Sequence, residues 1–338
     1  MFVGKNVSLK AYNTFGIDVK ADFLVRIDRI EDLMSALTDD SLRHHDRLIL
    51  GGGSNILFTR GFSGVILLNR LTGMSVVKED DTSVWVRAGA GEVWNDLVRW
   101  TVEQGWGGLE NLSLIPGSVG AGPMQNIGAY GAELKDAFHE LEAIRLDNLE
   151  TCTFNSAQCK FGYRESVFKH ELRNRFFITS VTFRLSKRPV LNTSYGVINQ
   201  ELARQGVVSP GIKDVSEAVI RIRQSKLPDP AVLGNAGSFF KNPEVDGALY
   251  DRIRSAHPGV VAYPNSSGKV KLAAGWLIEQ CGWKGKVVGN TGAHKDQALV
   301  LVNYGNATGT EIYELALQIR ESVFERFGVM IDPEVNVV

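Results

Sequence analysis

Two glycine-rich segments constrain the fold of this chain more than any other feature. The first, GGGSN at residues 51–55, follows a strand-like run that begins at Asp46. The second, residues 107–131, contains seven glycines and two prolines and shows no clear hydrophobic period. Loops of this length in a compact domain are usually either functional or disordered. The apolar residues of the second segment, among them Leu109, Leu112 and Ile127, argue against disorder.

The first segment is not a dinucleotide-binding fingerprint. The pattern G-x-G-x-x-G, started at Gly51, needs a third glycine where the chain has Ile56, and an apolar run follows instead of a helix. A plain hairpin corner remains possible for this segment alone. Such a turn can also direct several backbone N–H groups toward one point, which suits a pyrophosphate. Because backbone approaches a flat ring closely only where side chains are small, the two segments together favour a cofactor that combines a pyrophosphate with a ring system.

Composition narrows the class of protein. A length of 338 residues predicts two or three domains, and a net charge of -1 makes nucleic acid an unfavoured partner. The three cysteines, Cys152, Cys159 and Cys281, lack metal-ligand spacing and are typical of free thiols in a reducing compartment. The sequence has no membrane-spanning apolar run and no signal-peptide pattern at its start. We therefore expect a cytoplasmic protein with no membrane partner and no metal site.

Local signals predict a mixture of strands and helices. Strands are expected at GVILLN (64–69), SVWVRAG (83–89) and RFFITSVTFRL (175–185). Helices are expected within 91–105, 214–224, 270–282 and 308–328. The last helix begins with a capping-box pattern, Thr308 with Glu311, and should end at Gly328.

Several motifs, in order, resemble the UDP-N-acetylenolpyruvoylglucosamine reductases of peptidoglycan synthesis. They run almost from end to end: YNTFGI, GGGSNILF, the glycine-rich segment 107–131, FGYRESVFK, KLPDP, GNAGSFFKNP, VKLAAGWLIEQCGWKG and the PEV at residues 333–335. The stretch 189–206, which contains Tyr195, is similar to the longer form of the family, in which a tyrosine-bearing loop covers the substrate.

The resemblance implies an α+β protein of three domains. Residues 1–69, joined by the tail 329–338, and residues 70–225 would form two α+β subdomains of an FAD-binding fold of the vanillyl-alcohol-oxidase type. Residues 226–328 would bind the UDP-sugar. It also implies FAD as cofactor, NADPH as reductant, and reduction of an enolpyruvyl ether to a lactyl ether. Neither glycine-rich segment has a Cys or His for attachment, so we expect the FAD to be noncovalent. We expect a monomer.

The motif positions imply a catalytic set. Ser238 would protonate the carbanion that hydride addition leaves beside a carboxylate, since a positioned hydroxyl can transfer a proton over a short distance. Arg164 would pair with that carboxylate and stabilise developing charge, and Glu334 would complete the site. Taken singly, the three residues are more often a turn cap, a surface ion pair and a solvated tail residue.

Other matched positions imply binding roles. Lys226 and Lys284 suit phosphate oxygens, and Tyr195 suits a substrate contact. The full set of expected substrate contacts is Tyr195, Lys226, Asn242, Tyr263, Lys284 and Gln297. The expected FAD contacts are Gly51, Gly52, Gly53, Ser54, Asn55, Ile115, Pro116, Gly117, Gly120, Gln125, Asn126, Ile127, Gly128, Tyr130 and Arg223.

The sequence departs from the family at one position, and two other classes of protein stay open. Some members have a basic residue two positions beyond the tail glutamate, where this chain has Asn336. One alternative is a different flavoprotein of the same fold, such as an alcohol oxidase, which GNAGSFFKNP argues against. The other is a non-catalytic binding protein, which the joint presence of Ser238, Arg164 and Glu334 argues against.

Overall fold

A computed structural model of the chain describes residues 1–264 and 268–338. Strands and helices are interspersed along the chain, with several runs of consecutive strands. In order, the strands are β1 Phe2–Ser8, β2 Lys20–Ile27, β3 Arg47–Leu50, β4 Ile56–Leu57, β5 Phe62–Asn69, β6 Met74–Glu79, β7 Ser83–Gly89, β8 Gly128–Ala129, β9 Ala132–Glu133, β10 Phe138–Arg145, β11 Thr151–Asn155, β12 Phe176–Ser186, β13 Gly234–Ser238, β14 Glu244–Val245, β15 Ala262–Pro264, β16 Val270–Leu272, β17 Val287–Val288, β18 Thr291–Ala293, β19 Val300–Asn303 and β20 Asn336–Val337.

The α-helices are fewer and are supplemented by short 3-10 turns. In order, the helices are α1 Ile30–Thr38, α2 Trp94–Glu103, α3 Ser156–Cys159, α4 Gly196–Arg204, α5 Ile212–Lys226, α6 Gly247–Ala256, α7 Ala274–Gln280 and α8 Gly309–Phe327. The 3-10 turns are Lys10–Tyr12, Glu110–Leu112, Val119–Ala121, Leu134–Asp136 and Val167–Lys169.

The chain divides into two compact units, each made of more than one stretch of sequence. The first consists of Met1–Val7, Ala21–Gly52 and Phe62–Ser225, and the second of Ser8–Lys20, Gly53–Gly61 and Lys226–Val338. The GGGSN turn is therefore shared, with its first two glycines in one unit and the rest in the other. The finer division into three domains stays a prediction.

Two sheets organise the first unit. The first has the strand order β1-β2-β5-β3, and β5 runs parallel to both β2 and β3. Because a central parallel strand is covered on both faces, Val65 to Leu68 are all buried and form one apolar run. The second sheet is antiparallel, with order β11-β10-β12-β7-β6. Helix α2 packs on it through Trp94, whose ring meets Phe183 of β12 edge-on at 5.7 Å between centroids.

The second unit is built around an antiparallel sheet and helix α8. The sheet has the order β13-β19-β18-β17, and smaller sheets join β14-β16-β15 and β20-β4. Helix α8 buries Ile312, Leu315, Ile319 and Val323, spaced three and four residues apart as one face of a helix requires. The predicted ends of this helix are confirmed: Thr308 and Glu311 form the capping box, and Gly328 closes it with φ +66°.

One local prediction was wrong. Residues 270–272 do not begin a helix but form β16, because Lys271 pairs with both Glu244 and Tyr263 on the flanking strands. Tyr195 lies directly before α4, which begins at the next residue. Ile198 and Leu202 of α4 are buried in a cluster with Ala218, Val219 and Ile222 of α5.

No helix among the described residues, 1–264 and 268–338, is long and apolar enough to cross a bilayer.

Candidate active site

In the first unit, the start of the GGGSN turn lies directly against the second glycine-rich segment. A Cβ on Gly52 would lie 3.1 Å from the Cα of Gly117, and a Cβ on Gly51 would overlap the hydroxyl of Ser118. A Cβ on Gly120 would lie 2.5 Å from the Cβ of Ala90. Close packing against residues 90, 117 and 118 therefore favours glycine at these positions, as the sequence pattern predicts.

In the second unit, the remainder of the turn is held by the segment 12–14. Gly53 has φ +64°, and a Cβ there would overlap the Tyr12 carbonyl. The amide of Thr14 donates to the Gly53 carbonyl at 3.0 Å. The side chain of Asn55 donates to the carbonyl of Glu334 at 3.3 Å, which ties the turn to the tail of the chain.

The long segment 107–131 is ordered by hydrogen bonds to the start of helix α2. The amide of Trp94 donates to the Gly117 carbonyl at 3.0 Å, and the amide of Val119 donates to the Glu92 carbonyl at 2.9 Å. The amide of Leu114, which has φ +58°, donates to Oδ1 of Asn95 at 2.6 Å. Ile115, Met124 and Ile127 pack against the core of the first unit. The segment is thus a fixed, mostly backbone-lined surface.

A tight hairpin closes the segment and presents Tyr130. Strands β8 and β9 are joined by Tyr130 and Gly131, whose φ values of +49° and +81° fit a type I′ turn. A tyrosine rarely adopts a positive φ, and such strain is concentrated at functional positions. Its ring meets that of Tyr195 edge-on, with 5.7 Å between centroids. The predicted FAD contact and the predicted substrate contact are therefore neighbours.

A buried asparagine holds this arrangement, and sequence reasoning missed it. Nδ2 of Asn111 donates to the carbonyls of Tyr130 and Asn192 at 3.0 and 2.8 Å. Nδ2 of Asn192 donates in turn to the Gly131 carbonyl at 2.9 Å. The available signal was an asparagine between Leu109 and Leu112 in an otherwise apolar stretch, because a buried amide needs several partners.

Positive charge collects near the same hairpin. Nε of Arg223 donates to the Leu114 carbonyl at 3.1 Å. Burial lowers the pKa of Arg223 below its ordinary value, repulsion from Arg164 lowers it further, and Tyr130 opposes the shift. Burial likewise raises the pKa of Tyr130. Because a guanidinium stays protonated regardless, Arg164 and Arg223 form a cationic region suited to a carboxylate or phosphate.

In the second unit the structure brings Ser238 and Glu334 close along the backbone. Gly237 has φ +69°, and the pairing of β13 with β19 is interrupted by a bulge between Asn235 and Ser238. The amide of Glu334 donates to the carbonyl of Phe239 at 2.8 Å, and Phe240 pairs with Pro333. The bulge re-aims the serine at the end of its strand, a usual effect of bulges near active sites.

Two expected substrate contacts flank the start of helix α7. Oδ1 of Asn242 accepts from the amide of Ala274 at 2.9 Å. A Cβ on Gly275 would lie 3.1 Å from Oε1 of Gln297. Asn242 therefore has a structural bond of its own, which leaves its Nδ2 hydrogens to be directed elsewhere.

The other expected substrate contacts are more dispersed. Nζ of Lys284 forms an ion pair with Glu279 at 2.9 Å. Tyr263 lies on β15 with 38% of its surface exposed. Lys226 is the last residue of α5 and is exposed. Among the described residues, no hydrogen bond, ion pair or ring contact joins Lys226, Tyr263 and Lys284 to one another.

The departure at Asn336 has a local explanation. Its backbone N–H and its side-chain Nδ2 both donate to the carbonyl of Asn55, at 3.1 and 3.0 Å. Asn336, which is shorter than the basic residue of some family members, thus joins β20 to the GGGSN turn. Strand β20 also pairs with β4, which follows that turn.

Comparisons with known proteins agree with the geometry. Residues 21–148 match the family described as FAD binding domain, and residues 229–338 match the C-terminal domain of UDP-N-acetylenolpyruvoylglucosamine reductase. A Flavobacterium johnsoniae protein named UDP-N-acetylenolpyruvoylglucosamine reductase is 51% identical over 339 residues, covering 100% of both chains. The chain belongs to the UDP-N-acetylenolpyruvoylglucosamine reductase family.

A further relative and two solved structures extend the comparison. A relative of the same name from Chromobacterium violaceum is 52% identical over 330 residues and covers 97% of each chain. The crystal structure of the Thermus caldophilus reductase superposes with a TM-score of 0.67 at 26% identity, covering 100% of this chain and 99% of that one. The 6-hydroxy-D-nicotine oxidase from Arthrobacter nicotinovorans matches with a TM-score of 0.50 at 13% identity, covering 97% and 86%. The predicted α+β class and vanillyl-alcohol-oxidase type of fold are confirmed.

Proposed function

We propose that this chain reduces the enolpyruvyl ether of UDP-N-acetylglucosamine to UDP-N-acetylmuramate in peptidoglycan precursor synthesis, with bound FAD and with NADPH as reductant. The observation that carries the proposal is the 51% identity, over the full length of both chains, with a relative named for this reduction. The residues expected from the family motifs support it, because they occur in two local groups with suitable chemistry.

The residues present fit FAD. In the first unit, a Cβ on Gly52 would lie 3.1 Å from the Cα of Gly117, so the backbones of the turn and of segment 107–131 pack closely together. Backbone N–H groups from such turns would hold the pyrophosphate, and the small side chains of segment 107–131 would admit the ring system. Bound FAD would supply hydride transfer from NADPH to the enolpyruvyl double bond.

Ser238 is the proposed proton donor. After hydride addition, the carbon next to the substrate carboxylate carries negative charge and must be protonated from one face. A hydroxyl is a weak acid, but the carbanion is a strong base and a positioned transfer is short. The bulge between Asn235 and Ser238 and the left-handed conformation of Gly237 support such positioning of the hydroxyl.

Arg164 and Glu334 are proposed to control charge during the reaction. The guanidinium of Arg164 would pair with the substrate carboxylate and stabilise the charge that develops beside it. Arg223 adds to the positive potential at the same hairpin. The backbone amide of Glu334 donates to the carbonyl of Phe239, the residue after Ser238, which supports a shared role for Glu334 and Ser238.

The UDP-sugar would be bound by charge and by hydrogen bonds. Lys226 and Lys284 would meet phosphate oxygens, and Tyr195 would contact the substrate from its place beside Tyr130. The amide hydrogens of Asn242 and polar groups of Tyr263 and Gln297 complete the proposed set. We further propose a cytoplasmic monomer that binds no nucleic acid, consistent with its net charge of -1.

A spectroscopic experiment tests the function. The purified protein should be yellow, should bleach on anaerobic addition of NADPH, and should regain its colour only when the enolpyruvyl sugar nucleotide is added. Mass spectrometry should then find one UDP-N-acetylmuramate for each NADPH consumed. Bleaching by an alcohol with recovery in oxygen would instead indicate an oxidase, and a colourless protein that binds the sugar nucleotide would indicate a binding protein.

A further inference from the structure

Arg164 is held in a strained turn. Gly162 and Glu165 exchange backbone hydrogen bonds at 3.0 and 3.3 Å, and Arg164 lies between them with φ +56°. Residues with a Cβ rarely adopt this left-handed conformation, and it persists only where the surroundings fix it. The position of the guanidinium therefore depends on whatever holds this turn.

A reciprocal pair of hydrogen bonds joins the turn to the glycine-rich segment. Nη2 of Arg164 donates to the Gly128 carbonyl at 2.6 Å, while Nδ2 of Asn126 donates to the Gly162 carbonyl at 2.9 Å. The backbone of the turn thus accepts a hydrogen bond from a side chain of the glycine-rich segment. The backbone of that segment accepts one from a side chain of the turn. A Cβ on Gly128 would lie 3.1 Å from Nη1 of Arg164, so the guanidinium rests against bare backbone.

The carboxamide of Asn126 is fully buried, and both its nitrogen and its oxygen are hydrogen-bonded within the protein. Besides Gly162, its Nδ2 donates to Oε2 of Glu133 at 3.0 Å, and its Oδ1 accepts from the amide of Lys135 at 3.0 Å. An amide has two donor hydrogens, and both are committed within the protein. This side chain therefore has no hydrogen left to donate to a cofactor.

We infer that Asn126 is a positioning residue for Arg164, an inference that rests on the catalytic role proposed above for that arginine. Its carboxamide fixes the turn that forces Arg164 into the left-handed region, and so sets where the guanidinium meets the substrate carboxylate. Aspartate has the same shape but cannot do this, because an oxygen would replace Nδ2 opposite the Gly162 carbonyl and the Glu133 carboxylate.

A chemical-modification experiment tests the contact without measuring activity. Phenylglyoxal is applied to the full-length purified protein, and modification of Arg164 is followed by mass spectrometry of its peptide. Asn126→Ala should speed modification of Arg164 several-fold. Asn69→Ala is the matched control, because Asn69 is also buried and bonds to Ile178 and Leu71 in the same unit, away from the turn. It should leave the rate unchanged. Equal rates in all three proteins would overturn the inference.

A double-mutant cycle tests the consequence for turnover. Misplacement of a reacting group typically costs up to about 10²-fold, so Asn126→Ala should lower kcat by about 10- to 100-fold. In an Arg164→Met background the same change should have almost no further effect, since residues that act through one another are non-additive. Additive losses would overturn the positioning role. An unchanged kcat in Arg164→Met alone would overturn the catalytic role of Arg164. The modification experiment would still decide whether Asn126 holds the turn that carries Arg164.

Asn126→Asp supplies a second variant if the alanine variant does not fold. It preserves side-chain volume and should also expose Arg164 to phenylglyoxal. A wild-type modification rate in a folded Asn126→Asp protein would contradict the inference.

Discussion

The backbone amide of Glu334 donates a hydrogen bond to the carbonyl of Phe239, 2.8 Å away, on the residue that follows Ser238. Two residues separated by most of the second unit's sequence are thereby placed side by side. The contact uses only backbone atoms, so it is independent of the charge on Glu334. Position and charge can therefore be tested separately.

The first prediction uses that separation. Glu334→Gln retains the backbone bond to Phe239 and the size of the side chain while removing its charge. We expect kcat to fall on the order of 10²-fold or more if the carboxylate acts in catalysis. Steady-state kinetics with the sugar nucleotide measure the effect, and circular dichroism checks that the fold is retained. A folded variant with wild-type kcat would show that Glu334 only fastens the tail.

A second prediction concerns the GGGSN turn. Gly53→Ala should destabilise the protein more than Gly16→Ala. Both glycines have positive φ, +64° and +69°, so both substitutions cost about 1–2 kcal/mol of left-handed strain. Only at Gly53 does the new Cβ also overlap the Tyr12 carbonyl, whereas nothing lies within 4 Å of it at Gly16.

Urea unfolding of the two variants measures that difference, and dialysis followed by flavin absorbance measures FAD retention. We expect Gly53→Ala to lose FAD and Gly16→Ala to keep it. Equal stability and equal FAD retention would contradict the proposed close approach at Gly53.

A third prediction concerns Tyr195. Tyr195→Phe should raise the KM for the sugar nucleotide through loss of one hydrogen bond, worth about 0.5–1.5 kcal/mol. Bleaching by NADPH should be unaffected. The edge-on contact with Tyr130 needs only the ring, so the variant should fold normally. An unchanged KM would leave Tyr195 as a packing residue.

A fourth prediction concerns pH. Burial raises the pKa of the Cys159 thiol from 9.0 to about 12. Below pH 9 the thiol is neutral in both folded and unfolded chains, so it contributes no pH dependence. Between pH 9 and about 12 only the unfolded chain loses the proton, so the free energy of unfolding should fall as pH rises through this window.

Urea unfolding at several alkaline pH values checks this, with Cys159→Ala as the variant that should lose that part of the slope. Iodoacetamide should also leave Cys159 unmodified in the native protein while reacting with the less buried Cys152. An identical alkaline slope in Cys159→Ala would contradict the assignment.

Features with local signals were predictable from the sequence. The capping box of Thr308 and Glu311 and the αL glycine at 328 lie within one turn of the helix they delimit. The apolar run of β5 by itself predicts that the strand is buried on both faces, and no distant residue is needed for that prediction. The requirement for glycine at positions 51–53 likewise follows from their clustering.

Features that depend on distant pairing were not predictable. Val270 to Leu272 carry a weak helical pattern, and only their pairing with β14 and β15 makes them a strand. Asn126 and Gly162 are 36 residues apart in the chain, so no local rule reveals their hydrogen bond. The catalytic assignments came from family motifs, since an isolated serine, arginine or glutamate gives no sufficient signal.

The most direct test of the role of Ser238 follows the flavin of Ser238→Ala by stopped-flow absorbance in each half of the reaction. NADPH should bleach the variant at the wild-type rate. Recovery with the enolpyruvyl sugar nucleotide should be about 10²–10⁴-fold slower, the usual cost of losing a positioned general acid. Recovery at the wild-type rate, or equal slowing of both halves, would contradict the assignment of Ser238 as the proton donor.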